Sequence, residues 1–260
     1  MFRKIIILSF LLVTAVLTGN ASKLTEQAEK AYSDDKFSEA VDLYNQVIAE
    51  EGVSSDLYYN LGNAYYKSGY NGKAILCYER ALLLNPGNSD ATNNLDFVNA
   101  KLKDKFSNDE NIVDTFADKV TGLLSFNGWA ILAIISFILL LAAILVYFFN
   151  DTILVRKIGF FGGFAMLLLC IIANIVAFKK ADNFVNSKYA IVTKEVAILS
   201  NSPREPKNKS EEAFMIHEGA KVEITDSVEV KSEQAQQLWY NVKADDTHVA
   251  WIKSSEIEKI

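Results

Sequence analysis

Two stretches of the chain abandon the alternation of apolar and polar positions. Residues 129–149 and 158–178 each run 21 residues without Asp, Glu, Lys, Arg or His. At about 1.5 Å per residue each predicts a helix of roughly 31 Å, enough to cross the hydrocarbon core of a bilayer. A soluble helix keeps one polar face, and neither stretch has one. Only residues 150–157 separate them, so they predict a transmembrane helical hairpin whose flanks emerge on one side. Residues 1–21 begin with Arg3 and Lys4, stay apolar from Ile5 to Leu17 and end in small and polar residues. That is the layout of a secretory signal peptide, with an uncleaved anchor as the alternative. Either places the residues after 22 outside the cytoplasm. Arg156 and Lys157 suit a cytoplasmic turn, whereas Lys179, Lys180, Lys188 and Lys194 on the other side count against it. The leading signal and the helix parity decide: an inner-membrane protein with both soluble segments in the periplasm.

Residues 22–100 show helical periodicity and a repeat. Leu24 and Tyr58, Ala28 and Gly62, Ala40 and Ala74, Tyr44 and Tyr78, and Val47 and Ala81 all lie 34 residues apart. Small residues at Gly62, Ala74 and Ala81 let two antiparallel helices approach. Tyr58, Leu61, Tyr65, Tyr78 and Leu82 fill the space between them, Gly69 ends the first helix and Pro86 closes the second. The unit from Ser55 to Pro86 resembles a tetratricopeptide repeat. The preceding unit is a weaker copy, with Asp35 in place of Gly69 and Gly52 in place of Pro86. Residues from Asn88 resemble the first helix of a third unit acting as a cap. Such repeats imply a concave face that binds peptides or proteins. Asn60, Asn63 and Lys67 would point there, two amides for an extended backbone and an ammonium for a carboxylate. Residues 101–128 read as a linker with amphipathic character, leading to Trp129 as an interface anchor.

After a second linker at 179–188, residues 189–260 switch to short β-rich runs: 190–192, 196–199, 221–224, 238–242 and 248–252. His217-Glu-Gly, Trp239-Tyr-Asn-Val and Ala250-Trp251-Ile252 resemble a bacterial SH3-like domain, which implies a small all-β barrel. Trp239 and Trp251 would line a ligand groove or fill the barrel core.

Composition narrows the chemistry. The net charge of -6 argues against nucleic acid as a partner. Cys77 and Cys170, one in the repeat and one in a membrane helix, form no disulfide framework and read as packing residues. His217 and His248 match no metal-ligand or triad spacing, so no metal, cofactor or catalytic set is expected. Neither apolar span holds an ionisable residue for an ion relay. Gly159 and Gly163 set a Gly-xxx-Gly spacing for contact between membrane helices, and Asn174 is the one strongly polar residue of the spans.

The fold class expected is therefore a multidomain membrane protein: all-α repeats, a transmembrane hairpin and a small SH3-like barrel. That ordered combination resembles the Bacteroides aerotolerance proteins of the BatE type. The resemblance implies an envelope protein linked to oxygen or stress tolerance, with von Willebrand factor A-type membrane proteins of the same operon among its partners. The function expected is a non-enzymatic scaffold that assembles membrane or periplasmic proteins. The alternatives are a cell-wall-binding sensor acting through the SH3-like domain and a cell-wall hydrolase or redox enzyme.

Overall fold

The computed structural model describes residues 22–104, 120–231 and 236–260. The expected signal peptide and positions 105–119 of the first linker lie outside the described residues. The chain divides into two compact units, 1–52 and 53–260.

The first unit is a helical pair, α1 (Lys23–Ser33) and α2 (Phe37–Glu51). The Ser22 hydroxyl accepts from the Thr25 N–H and caps α1. Ala28 and Ala31 of α1 and Ala40, Tyr44 and Val47 of α2 are buried, one face of each helix. The second unit opens with the matching pair, α3 (Ser55–Lys67) and α4 (Asn71–Leu84), followed by α5 (Ser89–Asn99). Ser54 and Asn88 cap α3 and α5 in the same way.

The turn inside the two pairs is the same turn. Ser68, Gly69 and Tyr70 donate to the carbonyls of Ala64, Tyr66 and Tyr65, and Asp34, Asp35 and Lys36 donate to those of Lys30, Tyr32 and Ala31. Gly69 has φ 86° and Asp35 φ 58°, both left-handed. Asp tolerates that region better than most side chains, which is why the weaker copy keeps the turn without glycine.

The hairpin consists of α6 (Phe126–Phe149) and α7 (Ile153–Val185). By length and composition both are able to cross a membrane, and only 11% of either apolar window is buried. Side chains such as Phe148, Ile153, Phe161 and Phe178 stand on the outer surface. A soluble core pair would bury them, so lipid is the environment that suits this hairpin. Trp129 begins the span, and its indole N–H donates to the Thr121 carbonyl at 2.8 Å.

Residues 189–260 form seven strands: β1 (Tyr189–Val192), β2 (Val196–Ser200), β3 (Glu212–His217), β4 (Lys221–Lys231), β5 (Gln236–Lys243), β6 (Val249–Lys253) and β7 (Ile257–Lys259). Neighbouring strands run antiparallel. The order is β3-β2-β6-β5-β4-β1-β7. Here the structure corrects the sequence. A closed SH3-like barrel was the expectation, and the sheet is open, with β3 at one end and β7 at the other. The physical reason lies at the β7 end. That edge strand has three residues, and its Lys259 carbonyl accepts a hydrogen bond from Arg80 of α4. A helix side chain thus meets the edge that a barrel would have sealed with another strand.

The repeat and the sheet are packed together. Ala74, Ile75, Leu76 and Tyr78 of α4 share one apolar cluster with Leu95, Val98, Ile191 and Ile260. A Cβ on Gly72 would stand 2.8 Å from the Val192 carbonyl oxygen, so this approach requires glycine. Lys221 pairs with Glu79 at 2.9 Å. Asp104 accepts from the His217 backbone N–H at 2.6 Å and meets its ring Nδ1 at 3.0 Å. A hairpin crossing a bilayer twice leaves both of these contacting parts on one side of it.

Candidate functional site

The repeat presents two different faces, and only one is consumed by the sheet. On α4 the positions 72, 75, 76 and 79 form a helical stripe directed at the β-layer. The polar positions of α3 and α5 lie elsewhere. Lys67 is exposed and Asn60 half-buried on α3. Asn94, Phe97 and Lys101 stand 34 residues after Asn60, Asn63 and Lys67. Phe97 is 53% exposed, an unusual setting for a phenylalanine. The Lys101 ammonium sits 3.9 Å from the Phe97 ring centroid and donates to the Tyr66 hydroxyl at 2.6 Å. Sequence reasoning missed these three residues, and adding one repeat period to the residues it did choose would have found them.

Asn63 occupies a different position from its neighbours. Its carbonyl oxygen accepts from the Tyr78 hydroxyl at 2.8 Å and from the Asn94 amide at 2.8 Å. It therefore ties α3 to α4 and α5, and its acceptor is already used inside the fold. Of the three residues expected to clamp a partner, Lys67 is exposed and Asn60 half-buried, and neither joins the Tyr78 hydrogen-bond group. Asn63 thus contributes to the stability of the repeat through its bond to the Tyr78 hydroxyl.

The residues expected to pack between helices sit as follows. Tyr58 is 8% exposed, with the Arg80 guanidinium 5.7 Å from its ring centroid. Gly62 faces the Tyr78 ring, and Ala74, Tyr78 and Ala81 are fully enclosed. Tyr65 is half-buried, meeting Tyr70 edge-on at 6.3 Å. Burial pushes the Cys77 thiol up to about 12, so it carries no reactive thiolate. Burial likewise raises the Tyr58 phenol.

On the sheet, Trp239 is buried and Trp251 half-buried, the latter opposite Ser200 and Asn241. Trp239 is thus a packing residue. His248 sits in a turn, its ring Nδ1 2.8 Å from Asp245. That contact lowers the Asp245 pKa. In the hairpin, Gly159 and Gly163 lie against Ala143 of α6. They serve the contact between the two spans. Asn174 donates to the Cys170 carbonyl of its own helix at 2.8 Å.

Among the described residues, no group of three or more His, Cys, Asp or Glu is placed to hold a metal ion. The family model for the tetratricopeptide repeat matches residues 55–88. That segment runs from the first residue of α3 to the cap of α5. No curated protein matches the chain.

Proposed function

We propose that the chain is a non-enzymatic scaffold, anchored by its hairpin, that gathers membrane or periplasmic proteins on the repeat. One observation carries the reading. The sheet packs against the α4 side, while Asn60, Lys67, Asn94, Phe97 and Lys101 keep an amide-rich, basic and aromatic surface on α3 and its neighbour. Amides suit a partner's extended backbone, the two lysines suit its carboxylates, and Phe97 offers a flat apolar contact. The partner is accordingly an acidic peptide segment of another envelope protein. Placement of repeat and sheet in the periplasm rests on the leading apolar segment and the helix parity. The link to oxygen tolerance, with von Willebrand factor A-type proteins as partners, rests on resemblance alone. With the sheet open, that resemblance draws on the repeat and the hairpin.

Co-purification from membranes tests the proposal. Wild type should recover a defined partner set, and the pair Lys67→Ala with Lys101→Ala should recover several-fold less at unchanged melting temperature. Equal recovery would remove the repeat surface from the reading. Phosphatase fusions after residues 104 and 188 test the placement: both should be active, and one at Thr152 inactive.

A further inference from the structure

Below the repeat, where the hairpin leaves the apolar span, the structure holds a cleft of about 420 Å³. Its walls come from three places. Val53, Leu83 and Leu84 belong to the repeat, Ser125 and Asn127 to the start of α6, and Lys180, Ala181, Phe184 and Val185 to the end of α7. α7 runs to Val185, seven residues beyond the apolar stretch that ends at Phe178, and this overhang forms one side of the cleft. The Trp129 indole, which prefers the interface, lies two residues past Asn127.

We propose that this cleft holds a phospholipid drawn from the surrounding bilayer. The proposal rests on the reading of α6 and α7 as membrane spans. Its volume is in the range of small-molecule sites. Leu83, Leu84, Phe184 and Val185 offer an apolar wall to the upper part of an acyl chain. Ser54 and Ser125 accept backbone N–H groups through their oxygens as helix caps, so their hydroxyl protons remain to be donated. Together with the side chain of Asn127 they give donors for phosphate and ester oxygens. Asp56 and Lys180 add one charge of each sign to the lining, which suits a zwitterionic head. Ser125 and Asn127 stand within four residues of one apolar span, and Lys180 to Val185 within seven of the other, so the ligand of highest local concentration is lipid. A lipid seated there would fix the tilt of the repeat over the membrane, since it touches both.

The test uses the full chain in native membranes with the photoreactive residue p-benzoylphenylalanine at one position at a time. The positions are Leu84 in the cleft, exposed Val185 as a second cleft site, and exposed Ile172 in mid-span. Intact-mass measurement after irradiation reads the adduct. A phospholipid-sized adduct is expected at all three, with Ala181→Trp lowering the yield at Leu84 and Val185 at least five-fold and leaving Ile172 unchanged. Lipid at Ile172 with no adduct, or a protein adduct, at both cleft positions would overturn the cleft proposal and leave the membrane reading standing. Equal yield with and without Ala181→Trp would overturn it too. No lipid at Ile172 would overturn the membrane reading and the cleft with it.

Discussion

Helices α2 and α4 hold the same place in two successive units, yet they are buried differently. α2 buries Ala40, Tyr44 and Val47. α4 buries their counterparts Ala74, Tyr78 and Ala81, and also Gly72, Ile75, Leu76 and Cys77. Subtracting 34 from the additional four gives Ser38, Val41, Asp42 and Leu43, of which Ser38 and Asp42 are exposed. The shared positions make the helical pair. Of the unshared ones, Gly72, Ile75 and Leu76 make a second interface, with the β-sheet, while Cys77 lies against Gly62 of α3. A repeat protein therefore records its internal partners in the places where its copies disagree.

The comparison breaks hardest at Leu76. Leu76→Asp gives α4 the residue that α2 carries and puts a carboxylate into the cluster shared with Ile191 and Ile260. Burying that charge costs several kcal/mol, so the sheet should separate from the repeat rather than accept it. Hydrogen exchange should rise across β1 and β7 while α3 stays protected. Loss of protection in α3 as well would mean the repeat cannot stand without the sheet.

Next come the tyrosines. Tyr78→Ala removes a fully enclosed ring and its hydroxyl, a loss of roughly 3–5 kcal/mol in denaturant unfolding. Tyr65→Ala should cost about half of that, because Tyr65 is only half-buried. Asn63→Ala removes the acceptor of both the Tyr78 hydroxyl and the Asn94 amide and should cost about 1–3 kcal/mol. Tyr78→Phe and Asn63→Ala should be non-additive, since both remove the same hydrogen bond.

Alkaline pH distinguishes the two units by a smaller effect. Burial raises Cys77 from 9.0 to about 12, and burial with the Glu29 charge raises Tyr44 from 10.0 to about 12. Both are acids that the unfolded chain deprotonates first. Their stabilisation is complete below the unfolded values and is lost as pH rises toward 12. Each titrating group contributes a slope of about 1.4 kcal/mol per pH unit. The loss should begin near pH 9 for the second unit and near pH 10 for the first, and Cys77→Ala should abolish the earlier part.

How much of this was legible in the sequence follows from which interactions are local. The hairpin is readable because 21 uncharged positions in a row have no soluble explanation. The turn at Gly69 is readable from one residue, and the equivalent turn at Asp35 from the repeat period. Strand positions near Val196–Ser200 and Val249–Lys253 follow from β-branched runs. Barrel closure was not readable, because it depends on which strand meets the edge of β7, and in this chain Arg80 meets it from 179 residues away. The tie that Asn63 makes between helices was hidden for the same reason: its partners Tyr78 and Asn94 lie 15 and 31 residues on. The docked sheet left a trace in Leu76 and Gly72, which reads as signal only once the two units are set side by side.

The smallest effect concerns the face that the sheet leaves alone. Asn60 and Asn94 are one repeat period apart, as are Lys67 and Lys101, so the surface repeats amide and ammonium, with the Asn94 amide also bonded to Asn63 and the Lys101 ammonium to Tyr66. A partner backbone that spans both units would meet each in turn. Asn60→Ala should therefore remove one amide contact of about 1 kcal/mol, close to a five-fold loss of affinity. The melting temperature should hold, because Asn60, unlike Asn63, lies outside the Tyr78 hydrogen-bond group. Lys67→Ala should weaken binding by a similar factor at low salt and by less at high salt, as an exposed charge is screened. The paired measurement discriminates. Equal losses for Asn60→Ala and Asn63→Ala, each with lowered melting temperature, would mean that the face acts through the stability of the repeat. A loss of affinity at Asn60 with unchanged melting would assign it direct contact with the partner.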